Sequence, residues 1–133
     1  MEEVTVFVEA EINPTETEEK VKTAVANMFG DVPVKVEPSQ VGSVLVAEAK
    51  SRDALENFRG ILRRDRVRAA ARKILYTRAR GKSISFCLNK QVAFVGHVSF
   101  SQETGESPLG PIRVTIESEN PRELIDWIAP RTA

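Results

Sequence analysis

One cysteine, one histidine, one tryptophan and one tyrosine in 133 residues leave little material for several kinds of chemistry. Cys87 has no second cysteine with which to form a disulfide, and with only His97 beside it in the composition it falls short of a zinc site. Apolar runs are short as well. Val92 to Val95 ends within a few residues, far below the roughly 20 that cross a bilayer, so no membrane segment is expected. The opening Met1-Glu2-Glu3 carries neither a basic nor an apolar leader pattern, and a cytoplasmic location is the expectation. The glycines form no phosphate-binding loop, no dinucleotide fingerprint and no nucleophile elbow. Glu2, Glu3, Glu9 and Glu11 lack the loop spacing of a calcium site. No cofactor, metal or catalytic residue is expected, and the chain is read as a non-enzyme.

What the chain does have is segregated charge. Its 19 basic and 19 acidic residues cancel, yet ten of the basic ones lie between Arg59 and Lys82, where Asp65 is the sole acid. That segment carries +9 and the remainder −9. Charge divided this way points to a polyanion, above all a nucleic acid, or to an acidic surface on a partner or a second copy.

With 41% apolar residues, the length suits one α+β domain over 1–133. Val4, Val6 and Val8 alternate with Thr5, Phe7 and Glu9 and lead on to Ile12, a strand with one buried face, which Asn13-Pro14 ends. Thr15 and Glu18 have capping-box spacing, and Val21, Ala24, Val25 and Met28 then share a helical face that Gly30 closes. Val32 to Glu37 and Val41 to Ala49 read as a hairpin. Ser51 can cap a second helix bearing Ala54, Leu55, Phe58, Ile61 and Leu62. Asp65 then either caps a third helix or lies in one long helix bent near Gly60. Val67, Ala70, Ala71, Ile74 and Leu75 continue the helical period, with Arg64, Arg68 and Arg72 stacked on a neighbouring stripe and Gly81 as the stop. Ile84, Phe86 and Leu88 give a strand, Asn89-Lys90 a turn, and Val92 to Phe100 its partner. After the Gly- and Pro-containing loop 101–111 come a strand with Ile112, Val114 and Ile116 and a closing helix started by Pro121. The predicted order is β-α-β-β-α-α-β-β-β-α, a mostly antiparallel sheet with helices on one face.

His97 and Cys87 read as packed or surface groups, because no spacing brings either a reacting partner. Glu16, Glu18 and Glu19 suit the positive end of the first helix. Trp127 reads as a core anchor on the sheet. The basic segment remains. Arginine binds phosphate bidentately, and Tyr76 is the segment's only aromatic, which favours phosphate recognition of a structured RNA over base stacking. The candidate contacts are Arg63, Arg64, Arg68, Arg72 and Lys73, with Arg78, Arg80 and Lys82 beyond them. The alternative is a protein interaction module, or homodimer, in which the basic helix meets the Glu-rich N-terminal region of a partner.

Three blocks carry a family resemblance: Leu88 to Phe94, Ser107 to Ile112, and Ile125 to Thr132, with Arg68 to Leu75 as a fourth stretch. In combination they resemble an archaeal family of uncharacterised small proteins, uncharacterised protein family zero two zero one, also called domain of unknown function fifty-four. The likeness covers essentially the whole chain. It implies an α+β fold likened to ribosomal protein L five and an RNA-binding role, and it supplies no catalytic residues.

Overall fold

The computed structural model describes residues 3–101 and 110–131. β1 (Val4–Ile12) buries Val4, Val6, Val8, Ala10 and Ile12 and turns Phe7, Glu9 and Glu11 outward, as its alternation dictates. It lies at the centre of an antiparallel sheet between β3 (Ser43–Ala49) and β7 (Pro111–Ser118). β2 (Val34–Pro38) pairs with β3 at one edge, and β5 (Ser83–Asn89) pairs with β7 toward the other. Two-residue strands β4 (Ala79–Arg80) and β6 (Phe100–Ser101) both pair with β5. Gly42, at φ 81°, closes the β2–β3 turn, where a Cβ would stand 2.3 Å from the Ile12 carbonyl oxygen.

Helices α1 (Glu18–Phe29), α2 (Glu56–Arg64), α3 (Arg68–Thr77) and α5 (Pro121–Ile128) bury their apolar stripes in one core with the inner face of the sheet. A 3₁₀ turn, Arg52–Leu55, leads into α2 and is capped by Ser51, as expected. Phe58 of α2 stacks on Phe29 of α1 and Phe86 of β5 at centroid distances of 5.7 and 5.6 Å, so three elements meet at one ring. The α+β class, the antiparallel sheet and the order of the principal elements agree with the reading of the sequence. The other face of the sheet carries Phe7, Glu9, Glu11, Lys35, Glu37 and Glu48, all exposed.

Local details differ in four places. Thr17, not Thr15, caps α1 by accepting from the Lys20 amide, because Glu16 is engaged by Asn13. The basic stretch forms two helices, as in the predicted order, with a break at 65–67; Gly60 lies inside α2, and Asp65 closes α2 instead of starting α3. α3 stops at Thr77, and Gly81, at φ 58°, serves the tight β4–β5 turn. Residues 92–94, expected in a strand, belong to the short helix α4 (Lys90–Phe94), whose first turn Asn89 caps by accepting from the Val92 amide. The loop block Ser107 to Leu109 lies outside the described residues.

Candidate nucleic-acid interface

The break between α2 and α3 is a left-handed helix stop. The Val67 amide bonds back to the Leu62 carbonyl and the Arg66 amide to the Arg63 carbonyl, at 3.1 and 3.2 Å. The residue in the left-handed position of such a stop is usually glycine, because a Cβ there crowds the backbone. Here it is Arg66, at φ 59°, the only described non-glycine residue with positive φ. The turn sends its exposed side chain outward beside Arg63, from the last turn of α2, and Arg68, from the first turn of α3.

These three arginines and Ala69 line a concavity of about 430 Å³. Among the described residues no side chain caps α3: its N-cap position is Val67, which offers the first amides of the helix no side-chain acceptor. Among the described residues, none of the three guanidinium groups is engaged in an ion pair or hydrogen bond. Asp65 is the nearest acid in sequence, and it is occupied elsewhere. It accepts from Arg64 Nε, the Val98 amide and His97 Nδ1, which fastens segment 96–98 to the turn. Burial pushes the Asp65 carboxyl up, but those donors outweigh it and hold the group below its ordinary range.

The remaining predicted contacts are not equivalent. Arg72 is mostly buried: it pairs with Asp126 at 2.7 Å, donates to the Ala129 carbonyl at 3.1 Å and covers the Tyr76 ring, so it ties α3 to α5. Arg64 donates to the Gly96 carbonyl. Arg78 donates to the Ser85 carbonyl and Arg80 to those of Thr77 and Ala79, while Lys82 pairs with Glu119 in the open. Lys73 is exposed and makes no such contact among the described residues. Trp127 packs against the core, and its ring is also covered by the guanidinium groups of Arg52 and Arg59. Arg66, absent from the predicted set, emerges through its backbone. Its signal in the sequence was a helical period interrupted after Asp65 with no glycine to mark the stop.

A second feature escaped the sequence reading. Lys90 is 3% exposed, and its ammonium group donates to the Glu11 carbonyl at 2.6 Å and to Glu16 Oε1 at 3.0 Å. Burial raises the affinity of the Glu16 carboxyl for a proton, but the Asn13 and Lys90 hydrogen bonds and the Lys90 charge overcome it, and the group titrates below its ordinary range. The pair lines a pocket of about 270 Å³ between α1 and α4, with Lys20, Gln91 and Phe94 among its other walls. A charged residue among Leu88, Val92 and Ala93 was the available clue; it reads equally as a turn residue.

Among the described residues no cluster of three or more His, Cys, Asp or Glu side chains could hold a metal ion, and no helix is long and apolar enough to cross a membrane.

Comparison with known proteins places this geometry in a family. A family model described as RNA binding matches residues 5–118. A UPF0201 protein of Sulfurisphaera tokodaii is 45% identical over 128 residues, 96% of this chain and 88% of that protein. The chain belongs to the UPF0201 family. A second UPF0201 relative, from Pyrobaculum calidifontis, is 44% identical over 92% of this chain and 86% of its own length. The crystal structure of the UPF0201 protein from Methanococcus jannaschii superposes with a TM-score of 0.86 at 30% identity, covering 97% of this chain and 95% of that one. A DUF54 protein structure from Methanothermobacter thermautotrophicus shares the fold at a TM-score of 0.66 and 19% identity, over 94% of this chain and 96% of that one.

Proposed function

We propose that this UPF0201 protein is a non-enzymatic RNA-binding domain that grips the phosphate backbone of a structured RNA at the α2–α3 turn. The observation that carries the reading is Arg66: a left-handed arginine between Arg63 and Arg68, with no anion among the described residues to satisfy any of them. A backbone conformation that costs about 1 kcal/mol or more for an L-residue is retained where the side chain has work outside the fold. Phosphate answers all the unmet groups at once: bidentate guanidinium contacts, and the uncapped amides and positive end of α3. Lys73, Arg78, Arg80 and Lys82 extend the positive surface along the RNA, while Arg64 and Arg72 act mainly by holding the scaffold. The family's RNA-binding description supports the same reading.

The test is fluorescence anisotropy with a structured RNA and a duplex DNA of equal charge at two salt concentrations. Sub-micromolar RNA binding is expected, weakening with salt by a log–log slope of about −0.7 to −0.9 per phosphate contacted. Arg66→Gln and Arg68→Gln should each reduce that slope by about 1. Absence of binding at low salt overturns the reading.

A second reading is salt-sensitive self-association. It draws on the exposed acids Glu9, Glu11, Glu37 and Glu48 on the uncovered face of the sheet, which complement the arginine turn in charge. Such a contact closes into a dimer where the two surfaces meet reciprocally about a two-fold axis, and otherwise gives rings or open chains. Light scattering on the same samples separates the two: mass that rises with concentration and falls with salt, without RNA affinity, supports self-association.

A further inference from the structure

We infer that the pocket between α1 and α4 receives an unpaired nucleobase of the bound RNA, stacked on Phe94; this rests on the RNA reading and narrows its substrate to a helix carrying an unpaired nucleotide. Phe94 is 39% exposed, which is unusual for a phenylalanine on a short helix packed against another. Its ring forms a wall of the 270 Å³ pocket, and Lys20 Nζ stands 5.7 Å from the ring centroid. The ammonium group lies over the ring face, so a base stacked there displaces it and leaves it free to pair with the base's own phosphate.

The rest of the pocket suits a base edge. Gln91 is exposed and its amide offers both donor and acceptor. Glu16 Oε1 already accepts from the Asn13 amide, Asn13 Nδ2 and Lys90, whereas Oε2 has a single contact, to Lys90 at 3.3 Å. That oxygen keeps capacity to accept from a base amino group. The buried Lys90–Glu16 pair holds the floor rigid, so a ligand meets a formed surface.

The pocket is also joined to the arginine turn. α4 begins at Lys90, in the pocket, and the chain just beyond its end is held to the turn: the Gly96 carbonyl accepts from Arg64, and His97 and Val98 bind Asp65. Two peptide units separate Phe94 from Gly96, so their Cα atoms are at most about 7 Å apart. We take a phosphate among Arg63, Arg66 and Arg68 and a base on Phe94 as two parts of one binding track linked by this segment. The basic segment's one aromatic, Tyr76, has the Arg72 guanidinium over its ring; α4 supplies another from elsewhere in the chain.

The experiment compares two RNA hairpins of equal charge, one fully paired and one with a single bulged nucleotide, against wild type, Phe94→Leu and Arg66→Gln, with thermal melting to confirm folding. Phe94→Leu should weaken the bulged hairpin about tenfold and leave the paired one unchanged, a change within the range for one stacked base. Arg66→Gln should weaken both. If wild type binds both hairpins alike and Phe94→Leu changes neither, the base pocket is overturned while phosphate binding stands. If wild type binds neither, the phosphate reading falls, and titration with nucleoside monophosphates followed at the Phe94 ring protons decides the pocket separately: upfield shifts retain it, and their absence overturns it.

Discussion

Lys90 and Glu16, 74 residues apart in the chain, form an ion pair of 3.0 Å whose side chains are only 4% and 11% exposed. The pair joins the first residue of α4 to the turn that precedes α1, at the end of β1 where the Glu11 carbonyl also accepts from the ammonium group. Removing two charges from water costs several kcal/mol each, and the cost is recovered only where every lone pair and proton has a partner. Asn13 supplies two of those partners.

Lys90→Met should consequently destabilise the protein by about 3–5 kcal/mol, since Glu16 would be left charged and buried. Adding Glu16→Gln should restore part of the loss, giving a coupling of about 1–3 kcal/mol in the double-mutant cycle. Urea denaturation of the four proteins measures both. Additive effects would mean that the two side chains do not depend on one another.

Acid should expose the same pair. Glu16 and Asp65 titrate lower in the folded protein than their ordinary values of 4.5 and 3.8. Below those values the unfolded chain takes up protons first, so stability rises with pH through that window and is complete above it. Melting temperature should therefore be flat from neutral pH down to about 5 and fall steeply below it, with Glu16→Gln flattening part of the decline. A melting temperature unchanged down to pH 3 would contradict this.

Periodicity and punctuation made the scaffold legible. The alternation of Val4, Val6 and Val8 defined the inner face of β1, and Pro121 the first turn of α5, because each signal is local to the element it forms. Two features depended on partners distant in sequence, and one on a local conformation that no residue type announces. Asn89-Lys90 satisfies turn chemistry as well as a helix start, and Glu16 settles the choice. The stripe of Arg64, Arg68 and Arg72 left a third helix and a single bent helix both open, because a left-handed arginine carries no residue-type marker. Arg72 falls on a basic stripe in sequence yet faces Asp126 and the Ala129 carbonyl once α5 has docked.

That last placement separates two neighbouring arginines. Arg72→Gln should cost about 1 kcal/mol of folding stability, mainly by leaving the part-buried Ala129 carbonyl without its donor, since exposed Asp126 keeps the Tyr76 hydroxyl. Arg68→Gln should leave stability within about 0.5 kcal/mol of wild type and lower RNA affinity. Arg72→Lys should not restore the first loss, since an ammonium group cannot span both acceptors in the guanidinium's fixed geometry. Thermal melts beside anisotropy titrations resolve the two roles; equal stability of all variants would place Arg72 with the RNA contacts instead.

Arg66→Gly offers the sharpest separation of fold from function. Glycine adopts φ 59° without crowding by a Cβ, so the helix stop should become more favourable even after the added freedom of the unfolded chain is counted. A net gain of about 0.5–1 kcal/mol is expected in urea denaturation. The same variant removes one of the three arginines that line the 430 Å³ concavity, and RNA affinity should fall by roughly tenfold at low salt, a loss in keeping with about 1.4 kcal/mol for a charge-assisted phosphate contact. Stability and affinity moving in opposite directions would mark Arg66 as a residue kept for binding at the expense of the fold. Loss of both together would show that its side chain supports the turn.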